Sequence, residues 1–215
     1  MLKLLKEILR GKSFSRTLTN IELGNFEIDG EVLDVGGQRQ ESHYRFIKDK
    51  GAVIKTVNIN NDFKPDFIAN IEMDKLPVSD NSQKVILCFN VLEHIFSDEN
   101  LLFEVNRALK AGGVFLGSVP FLVNVHPDPN DFRRITGQFL QKNLKEKGFK
   151  NIKIIPIGLG PYAAAYSQIE FTLPVFLRPI FLLPAIGLDY LINKIKPKAN
   201  LAEKFALAYV FYAEK

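Results

Sequence analysis

The chain has 215 residues, 47% of them apolar, and 28 Lys and Arg stand against 24 Asp and Glu for a net charge of +4. That length holds one sizeable core, or one domain with an insertion, and the mild charge has no long like-charged run to serve as a nucleic-acid arm. Cys88 is the lone cysteine, which excludes a disulfide framework or a cysteine-ligated zinc site within the chain and fits a reducing, cytoplasmic setting. The N-terminal MLKLLKEILRGK spaces Leu2, Leu5 and Leu9 among charges as an amphipathic helix does, and its apolar stretches are too short for a secretory signal. Val32–Val35 reads as a buried strand, His43–Lys50 as a helix stopped by Gly51, Ala52–Val57 as a strand and Asp66–Ala69 as a short one. Lys84–Phe89 is a fully apolar strand, and Asp98–Leu109 is a helix stopped at Gly112-Gly113. Val114–Val119 follows as a strand, then a helix from a Thr136 cap to Lys147, closed by Gly148. Ile152–Ile157 and Ala206–Tyr212 complete the strands. This alternation predicts a mostly parallel sheet with helices on both faces.

The stretch Glu31-Val32-Leu33-Asp34-Val35-Gly36-Gly37-Gln38 puts two glycines where the first buried strand ends. In open α/β sheets ligands bind outside that end, and glycine permits both a sharp turn and a close approach. A dinucleotide site needs G-x-G-x-x-G, and here Gln38 and Glu41 occupy the later glycine positions; a P-loop needs Gly-Lys-Ser/Thr, which is missing. A cofactor without phosphates asks less of this loop.

Further motifs follow in order: Leu76-Pro77-Val78-Ser79-Asp80-Asn81-Ser82, Asn90-Val91-Leu92-Glu93-His94, and Arg107-Ala108-Leu109-Lys110-Ala111-Gly112-Gly113. With Val32–Gly36 they resemble the motif series of class I S-adenosylmethionine-dependent methyltransferases of the type 11 kind, over nearly the whole chain. The resemblance implies a doubly wound, Rossmann-like α/β fold with a seven-stranded sheet, and S-adenosyl-L-methionine as cofactor. It assigns cofactor contacts to Asp34, Gly36, Gly37, Asn58, Asn70, Ile71, Asn90 and His94. Asn58 and Asn70 replace the family's usual carboxylates; their amide oxygens still accept hydrogen bonds, more weakly than a charge would. Ser118-Val119-Pro120-Phe121 and His126–Thr136 are similar to a bacterial branch found in surface-polysaccharide gene clusters, with Phe132 and Ile135 in place of two tyrosines. This implies a hydroxyl or acidic group on a saccharide or lipid-linked precursor as the acceptor.

His126, Asp131 and Arg134 are the candidates for chemistry. Histidine is the usual general base for a hydroxyl, Asp131 can orient the imidazole, and Arg134 can hold an acidic acceptor. The alternative is an Asp131–Arg134 pair that pins a loop, with His126 packed beside Pro127. Glu93 and His94 read equally as a helix start, His43 as a solvated surface residue, and no metal or nucleic acid is expected. Phe171–Ile192 is apolar but interrupted by Pro174, Pro179 and Pro184, which argues for short inserted helices and against a membrane span. With Lys194, Lys196 and Lys198 after it, residues 171–198 suit a lid, a peripheral membrane contact, a homodimer face or a buried cap. The organisation expected is a helical segment over 1–30, the cofactor-binding core over 31–158, an apolar insertion over 159–203 and a last core strand over 204–215. Three rival functions are a methyltransferase-fold binding or scaffold protein, a small-metabolite methyltransferase, and a nicotinamide oxidoreductase, the last disfavoured by the absent glycines.

Overall fold

Seven strands hydrogen-bond into one sheet in the computed structural model, which describes residues 1–38 and 42–215. In chain order the elements are α1 (Leu2–Leu9), α2 (Phe14–Leu23), β1 (Glu27–Val35), β2 (Lys48–Asn58), β3 (Phe67–Ile68) and β4 (Gln83–Phe89). There follow α3 (Glu99–Ala108), β5 (Leu109–Pro120), α4 (Gly137–Glu146), β6 (Lys150–Ile157), α5 (Pro161–Ile169), α6 (Arg178–Ile195), α7 (Leu201–Lys204) and β7 (Ala208–Glu214). The strand order is β3-β2-β1-β4-β5-β7-β6, and only β7 runs antiparallel to its neighbours. The order reverses between β1 and β4, which opens a crevice at their carboxyl ends.

Side chains alternate across this sheet as strand geometry requires. Leu33, Val35, Ile86, Cys88, Phe115 and Phe211 face Leu101, Leu102 and Val105 of α3 and Leu140 and Leu144 of α4. Val32, Val85, Leu87, Leu116 and Val210 face the other way, onto Leu23 of α2 and Ile47. A third cluster joins Leu4 and Ile8 of α1 to Phe14, Ala163, Tyr166, Leu182 and Ala185. The sheet is therefore covered on both faces, as the doubly wound reading expects.

The structure departs from the sequence reading in several elements. Residues 43–50 do not form an α-helix: a 3-10 turn spans Ser42–Arg45, and β2 begins at Lys48 because Glu27 pairs with Lys48 and draws the strand backwards. Gly51 then sits inside β2 at φ +91°, where the Asp49 carboxylate accepts from the Gly51 and Ala52 amides. The helix α3 ends at Ala108 without a glycine stop; Leu109 pairs with Gln83 and Val114 with Val85, so Gly112-Gly113 lies in a bulge of β5. Within 171–192 the insertion is broken only at its start, where 3-10 turns over Glu170–Thr172 and Val175–Leu177 flank Pro174. α6 runs through Pro184 as one helix, held by Leu182, Ala185 and Asp189 on its buried side.

Candidate functional site

A cleft of about 1170 Å³ lies at the carboxyl ends of β1, β2, β4 and β5 and extends to α2 and α5. Its floor is the turn after β1. The Gly36 amide donates to the Val57 carbonyl at 2.8 Å with φ +76°, and a Cβ there would stand 2.5 Å from Val91 Cγ2. At Gly37 a Cβ would meet Asp34 Oδ2 at 2.2 Å. Both glycines thus make room for neighbouring side chains of the chain itself. Gln38, at the second glycine position of a dinucleotide loop, lines the cleft, while residues 39–41, which include the third position at Glu41, lie outside the described residues.

Asp34 is 1% exposed on the cleft floor. The Tyr44 hydroxyl donates to its Oδ2, His43 Nε2 stands 3.4 Å from the same oxygen, and Oδ1 has no hydrogen-bond partner among the described residues. His43 is therefore no surface residue: it is buried with its ring 4.4 Å from Tyr44 and 4.5 Å from Phe89. The 3-10 turn, which replaces the expected helix, folds it beneath the β1 end.

The polar wall comes from three asparagines. Asn58 Nδ2 donates to the Gly36 carbonyl at 3.0 Å, and its Oδ1 accepts from the Asn60 amide at 3.0 Å. Asn70 Oδ1 accepts from the Glu72 amide and its own amide donates to Asp74, which shapes a turn that sets Ile71 against the core. Asn90, at φ +54°, accepts the Ser118 hydroxyl at 3.0 Å and so ties the end of β4 to β5. Each amide oxygen keeps a second lone pair. With the unpartnered Asp34 Oδ1, these groups fit the hydroxyls and amino groups of a nucleoside.

The opposite wall brings His94 and His126 together, their rings edge to face at 5.3 Å. Their shared partner is Glu93, which the sequence pattern places at a helix start. Residues 92–94 form a turn, since α3 begins only at Glu99, and it turns the Glu93 carboxylate inward to 1% exposure. Its Oε1 stands 3.6 Å from His94 Nε2 and 3.8 Å from His126 Nε2. Glu93 beside it outweighs burial and raises the His126 imidazole above its ordinary value.

Asp131 and Arg134 do not line the cleft. Arg134 grips both Asp131 oxygens and holds that carboxyl well below the usual range, while Asp131 Oδ2 accepts the His126 amide at 2.9 Å. Arg134 also donates to the Asn124 carbonyl. The His126 ring donates from Nδ1 to that same carbonyl at 2.9 Å, and stands 3.6 Å from Asp131. The pair thus fixes the loop's backbone, and no hydrogen bond from Asp131 reaches the imidazole.

Residues 45–117 match the family model described as a methyltransferase domain. A curated "Probable S-adenosylmethionine-dependent methyltransferase" of Mycolicibacterium smegmatis is 32% identical over 82 residues, covering 35% of this chain and 32% of that protein. The matched stretch thus spans about a third of that relative's length. A solved S-adenosylmethionine-dependent methyltransferase from Archaeoglobus fulgidus superposes with a TM-score of 0.57 at 17% identity, covering 94% of this chain and 95% of that one. The cyclase SpnF superposes with a TM-score of 0.62 at 15% identity, over 95% of this chain and 84% of that one. The chain has the Rossmann-like fold of S-adenosylmethionine-dependent methyltransferases and carries a methyltransferase domain match across its central strands.

Proposed function

We propose that the protein is an S-adenosylmethionine-dependent O-methyltransferase acting on a hydroxyl of a saccharide or lipid-linked precursor. The observation that carries the reading is the polar cleft at the β1–β4 reversal, with Asp34 and three asparagines on one wall and two imidazoles on the other. When bound, the cofactor supplies an electrophilic methyl group on a sulfonium. The asparagine wall binds and orients the nucleoside, and Ile71 offers an apolar contact for the adenine. His94 and His126 stand at the acceptor side, where His126 Nε2 takes the hydroxyl proton as the oxygen gains its methyl. The sulfur keeps the electron pair of the broken bond. Alignment in such a displacement supplies most of the acceleration.

Ser167 and Glu170, from the start of the apolar insertion, reach the cleft, so the insertion borders the acceptor end. This supports a lipid-linked acceptor, as does the similarity of His126–Thr136 to the polysaccharide-cluster branch.

A second reading is a binding or scaffold protein, because the Asn58 and Asn70 oxygens each already accept an internal hydrogen bond and fold alone does not fix function. Calorimetric titration separates the two. S-adenosylmethionine and S-adenosylhomocysteine should both bind the wild type and lose affinity in Asn90→Leu. Folded protein that binds neither at millimolar ligand sinks the enzyme reading.

A further inference from the structure

We infer that Glu93, His94 and His126 form a binding site for one divalent transition-metal cation. Their ligand atoms lie within 4.8 Å of one another. Glu93 and His94 come from the turns after β4 and His126 from the loop after β5, so the parallel pairing of these two strands brings them together.

The first reason is the carboxylate. Glu93 is 1% exposed, and neither oxygen has a hydrogen-bond partner among the described residues. A buried carboxylate is costly unless it is paired or bound to a metal.

The second reason is the pair of tautomers. His94 Nδ1 stands 2.6 Å from the Asn130 carbonyl and His126 Nδ1 2.9 Å from the Asn124 carbonyl. A carbonyl only accepts, so the hydrogen-bond network assigns the ring proton to Nδ1 in both residues. Both Nε2 lone pairs then face Glu93 Oε1. Three electron-rich atoms then converge, an arrangement that a proton on one imidazole relieves in part and a bound cation relieves for all three. Metal-bound histidines commonly donate their other ring N–H to a backbone carbonyl in this way.

The spacing agrees. Contacts of 3.6 and 3.8 Å are too long for hydrogen bonds. Ligands about 2.1 Å from a tetrahedral metal are separated by about 3.4 Å, so a small closure suffices. Two imidazoles and a carboxylate suit zinc, iron or cobalt, and leave further coordination positions open toward the cleft. Asp131 and Arg134 become positioning residues, since they hold the His126 amide and the Asn124 carbonyl. When the metal is bound, His126 Nε2 is a ligand, and polarisation of an acceptor hydroxyl by the cation takes the place of the imidazole base of the metal-free reading.

The site stands apart from the cofactor reading, since metal uptake and S-adenosylmethionine affinity are separate measurements. Chelator-stripped protein should take up one equivalent of Zn²⁺ by calorimetry and develop visible Co²⁺ absorption. Glu93→Gln, which keeps the side-chain volume, should weaken uptake at least 10-fold while the melting transition stays cooperative. His94→Ala carries the same test should Glu93→Gln fail to fold. Absence of uptake by the wild type at millimolar Zn²⁺ and Co²⁺ overturns the inference, as does undiminished uptake in both variants. An NMR spectrum showing His126 as a persistent imidazolium in the presence of metal overturns it too, because a proton then does the work assigned to the cation.

Discussion

Asn58 illustrates how a residue can occupy a ligand position and still be bound to its own fold. Restoring the carboxylate usual at this place would place an oxygen against the Gly36 carbonyl, where Nδ2 now donates at 3.0 Å. Asn58→Asp is therefore expected to destabilise the β1 turn by about 1–3 kcal/mol and to leave S-adenosylmethionine affinity no tighter. Thermal melts and calorimetry check both halves, and a tighter complex would mean that the turn yields to the ligand. Gly37 makes a parallel case. Its missing Cβ leaves room for the Asp34 carboxylate, so Gly37→Ala should cost about 1–3 kcal/mol as the carboxylate is pushed off Tyr44 and His43. An unchanged melting temperature would show that Asp34 has somewhere else to go. The glycine pair was legible in the sequence as a special turn. Its reason was not, because the side chains that need the space are Asp34 and Val91, the latter far along the chain. The Glu93, His94 and His126 cluster was hidden for the same cause: a parallel strand and its crossover separate the partners.

At the scale of elements, two of the sequence motifs turn out to be one device. Arg107, on the last turn of α3, donates to the Leu76 and Val78 carbonyls, to Asp80 and to Glu104. The Glu104 carboxylate in turn accepts the Leu76 amide at 2.8 Å. The Leu76–Ser82 stretch is thus clamped to α3 at the start of β4, and its resemblance to a family motif reflects architecture more than contact with a ligand. Burial raises the Glu104 carboxyl, but Arg107 and the Leu76 amide more than offset it, so the net shift is downward. A carboxyl whose folded pKa lies below its unfolded one contributes stability above the unfolded value and loses it as the pH falls through the folded value. Glu104→Gln should therefore cost about 3 kcal/mol near neutral pH. Denaturant titrations across pH should show that cost shrinking below about pH 4, the ordinary carboxylate range. A pH-independent cost would assign the clamp to shape and not to charge. Strands such as β4 and β5 were readable because buried β-branched runs permit little else. The helix expected over 43–50 failed because strand pairing at Glu27–Lys48 outweighs a local pattern, and α6 survives Pro184 because its buried side is held by α1 and α5.

For the whole molecule, the question is what covers α6. The segment Val175–Ile195 is 21 residues long and holds an 18-residue window of mean hydropathy 1.7 that is 17% buried, so by length and composition it is apolar enough to cross a membrane. The proline argument against a span therefore falls. A different argument replaces it: Asp189 is buried and accepts the Tyr162 and Ala163 amides at the start of α5, which ties the helix along the domain. Phe176, Ile180, Leu183 and Leu191 share the opposite stripe and are exposed, whereas Leu182 points into the core. Lys194, Lys196 and Lys198 follow as an exposed basic end. An apolar stripe ending in cations fits an anionic lipid surface in the interfacial plane, and each apolar side chain fully immersed contributes about 1.5–3 kcal/mol. The protein should sediment with vesicles containing phosphatidylserine, less so as salt rises because the lysine attraction is screened. Phe176→Ser combined with Ile180→Ser should release it while cofactor affinity and melting temperature hold, since neither side chain belongs to the core. If the wild type ignores vesicles and instead runs as a dimer that the double variant dissociates, the stripe is a subunit interface and the lipid-linked acceptor loses its structural support.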